Sequence, residues 1–311
     1  MKIAVVYDEF NIDEHRERMV DSVCGALSRY YEVQRLPFGE DFMSKVKMFE
    51  AVFNLSTAYN QIHVPAILDQ IGIPYTGSGP LVHALCIDKS ITKAILKSYG
   101  IPTPEYVVVP TSCDIPEIDF FPAIVKPVRE GSAKGIESDS VVSDSNGLRK
   151  AVRKIHDTFN EPALVERFID GKELSVGILN EEVLPILEID FSTLPDGIER
   201  FYSFRVKTLY GDQTNYICPA RIESNVEREI KKFALRVSKI LGLRNYARMD
   251  LRLQDDKPFF LEINSLPMLT PDYSDIVKMA SAVGYTYEDL ILEIMRGAVD
   301  TTNSPKTRTQ N

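Results

Sequence analysis

Two short runs, RMDLRL (248–253) and PFFLEIN (258–264), place an arginine, two carboxylates and an amide at alternating positions. Read as the strands of one hairpin, they send successive side chains to opposite faces. A tight turn at 255–257 pairs Met249 with Ile263, Leu251 with Leu261 and Leu253 with Phe259, an apolar face. The other face sets Arg248 opposite Asn264 and Asp250 opposite Glu262. Two carboxylates directly across a strand pair destabilise it by up to roughly 1 kcal/mol, so the arrangement needs a reason. One is ordinary, because a half-exposed antiparallel pair commonly has one greasy and one charged face. The other is a bound divalent cation. Two carboxylates and an amide oxygen are hard donors that suit Mg²⁺ and not zinc, and magnesium with so few protein ligands usually awaits a phosphate.

A phosphate has a place to go. FPAIVKPVREGSAKG (121–135) reads as a buried strand ending in Lys126, followed by a loop in which Gly131 and Gly135 flank Ser132 and Ala133. Small residues let backbone N–H groups approach an anion, although such loops also make plain turns. Lys126 at the strand end adds a point charge for phosphate oxygens. DKSITK (88–93) opens a helix with a lysine, and ALVERFIDGKELSV (163–176) reads strand, acid, turn, acid, strand. There Glu166 and the adjoining backbone would edge-bind an adenine and Glu173 would accept from a ribose, whereas each taken alone is a surface salt-bridge residue. With the hairpin, these pieces fit one nucleoside triphosphate site.

The elements that must position these residues follow from the patterning. An apolar β-branched strand at 2–7, a helix at 20–31 and a second strand at 51–55 suggest an α/β unit with a parallel sheet. Its first strand is followed by DEFNIDE (8–14) rather than GxGxxG, which excludes a nicotinamide-type reading. GIP at 72–74 and at 100–102 each ends a helix and begins an extended segment. Helices at 148–159, 226–241 and 287–298 and a strand-rich stretch at 181–219 complete the pattern. The polar end TTNSPKTRTQN (301–311) reads as disordered. With 311 residues, 44% hydrophobic and 26% charged, the chain has room for two or three domains. A net charge of −9 argues against a general nucleic-acid or membrane-surface binder. Cys24, Cys86, Cys113 and Cys218 have no CxxC spacing and read as reduced thiols; with no signal peptide or span, the expected location is cytoplasmic.

Several motifs in one order, IPYTGSG (73–79), DKSITK, GIPTP (100–104), IVKPVREGSAKG (124–135), LVERFIDGKELSV (164–176), RMDLRL and LEINSLP (261–267), resemble the D-alanine–D-alanine ligases of the ATP-grasp superfamily over about residues 1–298. The resemblance implies a three-domain α/β (α+β) ligase of ATP-grasp fold. Its parts would be an N-terminal parallel α/β substrate domain (1–86), a central ATP-grasp subdomain (87–179), a C-terminal catalytic domain (180–299) and a disordered tail (300–311). Lys89, Lys126 and Lys207 would contact ATP phosphates, Lys207 from a closing loop in YSFRVK (202–207), and Ser132 would lie in the phosphate loop. Glu166, Arg167, Ile169 and Glu173 would surround adenine and ribose. Asp250, Glu262 and Asn264 would hold two Mg²⁺ ions, with Mn²⁺ as a substitute, and Arg248 would stabilise the oxyanion of a tetrahedral intermediate.

The implied reaction is ATP-driven amide formation from a small carboxylate and an amine through an acyl phosphate, as in cell wall biogenesis. The resemblance also suggests a homodimer. Departures gather on the substrate side. The family's substrate glutamate has Glu14 as its nearest counterpart, its His-Gly and Gly-Glu-Asp-Gly segment is replaced by NLSTAYNQIHVP (54–65), and its oxyanion glycine is Met268. Its substrate-carboxylate serine matches Ser274 only with a one-residue insertion. A ligase for a different amino acid or natural-product carboxylate therefore stands beside the D-alanine reading, and a non-catalytic nucleotide-binding protein stands behind both. His15 and His63 read as solvated or structural.

Overall fold

The computed structural model describes residues 1–10 and 13–303. Three sheets organise it. The first is parallel, with β1 (Lys2–Tyr7) between β2 (Glu32–Pro37) and β3 (Ala51–Asn54). The second, antiparallel, runs in the order β4 (Tyr106–Val109), β7 (Ala163–Arg167), β5 (Ala123–Pro127) and β6 (Val141–Val142). The third is built on β8 (Lys172–Leu179), which carries β9 (Glu182–Val183) and lies between β10 (Leu187–Asp190) and β12 (Tyr246–Gln254). β11 (Asn215–Ile217) and β13 (Lys257–Asn264) close its two edges.

Helices cover the sheets with matching apolar stripes, and the parallel sheet is covered on both faces, Ile3 and Val5 packing on one side and Ala4 and Val6 on the other. The helix Ser145–Phe159 covers the second sheet with Leu148, Val152 and Ile155, and Ser224–Leu241 covers the third with Val226, Ile230 and Val237. The helix Lys89–Ser98 also packs Leu96 into the third sheet's core. The last helix, Tyr287–Asn303, places Ile291, Ile294 and Met295 against Val20, Val23 and Leu27 of the first helix, so the two ends of the chain share a core.

Several boundaries differ from those read in the sequence. The first helix runs Glu14–Ser28, not 20–31, because Asp13 caps it by accepting from the Arg16 N–H at 2.8 Å and two acids follow in the first turn. β8 belongs to the third sheet, so a division after 179 would cut it from both neighbours; the break between the sheets falls at Phe168–Gly171. Gly171 sits so close to β12 that an added Cβ would lie 2.0 Å from the Leu253 carbonyl oxygen. Residues 181–219 hold only short strands, and Lys207 sits in a helix, Phe204–Leu209, rather than in an open loop. The last helix continues through 300–303, four residues that the sequence assigned to the tail; the rest of that expected tail, 304–311, lies outside the described residues. Among the described residues no helix is long and apolar enough to cross a membrane, and all four cysteines are free.

Candidate active site

The hairpin forms as expected at its open end and changes register within. Arg248 faces Asn264, Met249 faces Ile263 and Asp250 faces Glu262. Between Asp250 and Leu251 a bulge shifts the pairing, so Leu251 meets Phe260 and Leu253 meets Pro258, not Leu261 and Phe259. Asp255 and Asp256, both with positive φ (48° and 59°), make the two-residue turn. The bulge turns Leu261 into the cavity described below, beside Glu262.

Asp250 is clamped on both oxygens. Ser175 Oγ at 2.5 Å and Arg248 Nε at 2.8 Å donate to Oδ1, while Arg248 Nη2 at 2.8 Å and Asn264 Nδ2 at 2.9 Å donate to Oδ2. The Asn264 amide also donates to Glu262 at 3.3 Å. A guanidinium and an amide thus relieve the cross-strand repulsion. Burial works against the charge of Arg248, but Asp250 and Asp275 outweigh it and hold its pKa above the ordinary value. Glu262 is freer, with Lys89 Nζ at 4.0 Å. Among the described residues no third carboxylate, histidine or cysteine completes a metal-holding group with this pair.

Behind this face lies a buried charge network. Lys89 and Lys93 stand one turn apart on a helix capped by Asp88, which accepts from the Ser90 and Ile91 N–H groups at 3.1 Å. Glu166 is 1% exposed; one oxygen lies 2.7 Å from Lys93 Nζ and the other pairs with Lys126. Burial alone would raise the Glu166 pKa, yet the two lysines pull it below the usual carboxylate range. Burial pushes Lys93 down to about 8 against the pull of Glu166. Glu166 is therefore neither a surface salt-bridge residue nor free to edge-bind a base: its carboxylate aims Lys126 at the cavity. Glu173 is also buried and accepts from Arg252 at 2.9 and 3.3 Å; burial raises its pKa against the arginine. Arg252 further donates to the Ile169 carbonyl at 2.7 Å and stacks on Phe168. The Arg167 side chain donates to Glu105 at 2.9 Å and lies over Phe120, so its guanidinium is committed there.

These groups converge on a cavity of about 370 Å³. Ile124, Phe168, Ile169, Phe201 and Leu261 supply apolar lining; Lys89, Lys126, Lys207, Arg248, Ser132, Asp250, Glu262 and Asn264 supply charge and hydrogen bonds. In the small-residue loop the left-handed conformations fall on Ser132, Ala133 and Gly135 (φ 57°, 60° and 76°), not on Gly131. The loop is roofed by the helix Phe204–Leu209, whose first N–H donates to the Ile136 carbonyl at 2.8 Å. Lys207 on that helix lies over the Tyr202 ring with no carboxylate within ion-pair distance among the described residues. Burial, reinforced by Arg248, lowers its pKa. Asp275, Asp250 and Glu262 oppose this shift without pairing directly with the amine, and a half-buried cation so placed suits an anion in the cavity.

A second cavity, about 1710 Å³, opens from the first toward the N-terminal unit. Met268 and Tyr273 line both; Ser274 and Asp275 line the smaller one. The Ser274 Oγ is held by the Thr270 N–H at 2.9 Å. Glu14 is exposed and lines neither cavity; Arg16 lines both and His15 the larger one, where it stacks on Tyr273 at 4.0 Å. The segment 54–65 forms the facing wall, with Tyr59 stacked on His63 at 4.2 Å and three successive left-handed residues, Tyr59, Asn60 and Gln61. Sequence reasoning missed Lys93, Arg252, Phe168, Leu261 and Arg16. The four-residue spacing of Lys89 and Lys93 on a helix, and the two-residue spacing of Asp250 and Arg252 on one strand face, were the available signals.

A family model described as D-ala D-ala ligase C-terminus matches residues 95–296. A D-alanine–D-alanine ligase of Pseudothermotoga lettingae is 33% identical over 96% of this chain and all of its own length. One of Cupriavidus necator is 36% identical over 76% of this chain and 71% of its own. An uncharacterized protein of Sinorhizobium fredii, y4sG, is equally similar at 36% identity over 78% and 73%. The crystal structure of a Bacillus anthracis D-alanine–D-alanine ligase complexed with ATP superposes with a TM-score of 0.81 at 24% identity, covering 97% of this chain and 99% of that one. The fold is that of the ATP-grasp ligases, and this chain belongs to the D-alanine–D-alanine ligase family.

Proposed function

We propose that the protein is an ATP-dependent carboxylate–amine ligase that forms an amide or peptide bond through an acyl phosphate. The observation that carries this is the convergence of Lys89, Lys126, Lys207 and Arg248 with Asp250, Glu262 and Asn264 on one cavity, Lys207 having no carboxylate within ion-pair distance among the described residues. In this reading Lys89, Lys126, Lys207 and the Ser132 loop hold the phosphates. The purine lies among Ile124, Phe168, Ile169 and Leu261, with backbone groups beside Arg167 at its edge. Glu166 and Glu173 act one step back, fixing Lys126 and Arg252.

An oxygen of the substrate carboxylate attacks the γ-phosphorus and ADP leaves. The amine then attacks the acyl carbon, phosphate departs, and the amine proton passes to solvent or base. The three lysines offset charge on the transferring phosphoryl group, and Arg248 with the Met268 N–H would face the oxyanion. Ser274, whose hydroxyl lies on the same side, would take a substrate carboxylate. Asp250, Glu262 and Asn264 suit Mg²⁺, or Mn²⁺, by donor type: two carboxylates and an amide whose oxygen replaces its N–H by a half-turn of the side chain. Bound there with phosphates completing its shell, the ion would supply charge neutralisation. The roof helix, already docked on the Ile136 carbonyl, would exclude water that hydrolyses an acyl phosphate.

The relatives' name makes D-alanine the first substrate to try. The absence of Glu14 from the cavities and the rebuilt wall at 54–65 favour a different pair. Screening pairs of amino acids for ADP and phosphate release, with mass spectrometry of the product, tests the reading. A condensed product formed with one ADP per bond supports it; ADP release at full rate without an amine refutes it.

A further inference from the structure

The junction of the two cavities carries charge of one sign. Among the described residues that line both, the charged ones are Arg16, Lys134 and Lys207, and none is a carboxylate. Lys207 is assigned to the nucleotide above. Lys134 is largely exposed, with Glu130 3.8 Å away. Arg16 is placed differently. It comes from the N-terminal unit, its side chain is 28% exposed, and Nη1 donates to Thr57 Oγ1 at 2.8 Å. Thr57 is itself anchored, its N–H and Oγ1 reaching Asp8 at 2.7 and 3.1 Å. Asp13, 3.9 Å from Nε, is the one carboxylate within ion-pair distance among the described residues, and it is engaged in capping its own helix. The guanidinium is thus oriented from one corner while other donors of its planar fork remain for a ligand.

The side chain that this helix delivers to the junction is therefore a cation, where Glu14, an anion, points away. A substrate ammonium would be repelled there and an anion attracted. We propose that Arg16 is the specificity-determining residue of this ligase, and that it selects a substrate bearing a second anionic group, a carboxylate or a phosphate, besides the carboxylate that reacts. The proposal rests on the ligase reading above. The large cavity beyond Arg16 is lined by Asp8, Glu9, Asp13, Glu40, Asp41 and Asp212, so the second anionic group is held at the Arg16 junction itself, beside the stacked His15 and Tyr273, and not deeper in that cavity.

The test uses the full chain with Mg-ATP and four acids, D-alanine, D-aspartate, D-glutamate and O-phospho-D-serine, each offered with a panel of amines. The anionic acids should support the higher kcat/KM, and the aspartate, glutamate and phosphoserine arms separate carboxylate from phosphate recognition. Arg16→Gln, which keeps a donor for Thr57, should raise KM for the preferred acid roughly 10- to 100-fold, the usual worth of a charge-assisted hydrogen bond. KM for ATP and the melting temperature should stay unchanged, and Arg16→Lys should restore part of the loss. Calorimetric binding of the same acids in the presence of a non-hydrolysable ATP analogue reads the site without turnover. A preference for D-alanine, with less than about a twofold effect of Arg16→Gln, overturns the proposal and leaves the ligase reading standing. No ADP release with any pair, together with no binding of any acid, overturns both.

Discussion

Replacing Glu166 by glutamine separates the structural role found here from the base-contact role read in the sequence. The carboxylate is buried between two ammonium groups, Lys93 at 2.7 Å and Lys126, all three nearly inaccessible. Breaking a buried ion pair from one side costs about 3–5 kcal/mol, because it strands the partner charge. Here two charges are stranded, but Lys93, already pushed down to about 8, can shed its proton and hold the cost to the lower part of that range. At about 3–4 kcal/mol and roughly 2–4 °C per kcal/mol, the melting temperature should fall by about 6–16 °C. The pH dependence has a definite sign. In the folded chain Lys126 and Lys93 hold Glu166 below the ordinary glutamate range, so as pH falls through that range the unfolded chain takes up the proton first and the wild type loses stability. Above that range the contribution is complete. Glu166→Gln should lack this acid-side loss. Scanning calorimetry from pH 3.5 to 8, beside ATP titration calorimetry, measures both. A variant that melts within about 2 °C of wild type while losing only ATP affinity would refute the structural role.

Two further outcomes follow from named contacts. Lys207→Met removes a cavity-lining cation that has no carboxylate within ion-pair distance among the described residues; it should leave the fold intact and lower kcat/KM for ATP roughly 10- to 150-fold, measured in steady state, as loss of a charge-assisted bond predicts. Gly171→Ala drives a Cβ to 2.0 Å from the Leu253 carbonyl oxygen, and the forced backbone shift should cost about 1–3 kcal/mol or more, read as a lowered denaturation midpoint in urea.

Much of the hairpin and turn geometry around the candidate site was legible because it is carried by local patterns. Alternation along β12 and β13 by itself places Asp250 opposite Glu262 and Arg248 opposite Asn264, and the register fails only past the bulge, where one extra residue is invisible to a period-2 reading. Gly72 and Gly100 end helices in the left-handed conformation as read. What stayed hidden depends on distant segments meeting. Glu166 looked exposed because nothing in its own strand shows that Lys93, seventy-odd residues earlier, is folded beneath it. β8 was assigned to the wrong unit because its partners come after 180 in the chain. Glu14 and Arg16 are two residues apart, and only the helix phase, set by the Asp13 cap, decides which one reaches the junction.

The most direct test of the central claim is ADP release by Asp250→Asn and Glu262→Gln as Mg²⁺ is titrated, with folding checked by circular dichroism. If these carboxylates and the Asn264 amide hold the ion at the transferring phosphate, both variants stay folded and lose turnover at every Mg²⁺ concentration, Glu262→Gln most cleanly because its carboxylate is the less encumbered by protein donors. Near-normal turnover in both at ordinary Mg²⁺ would contradict the account.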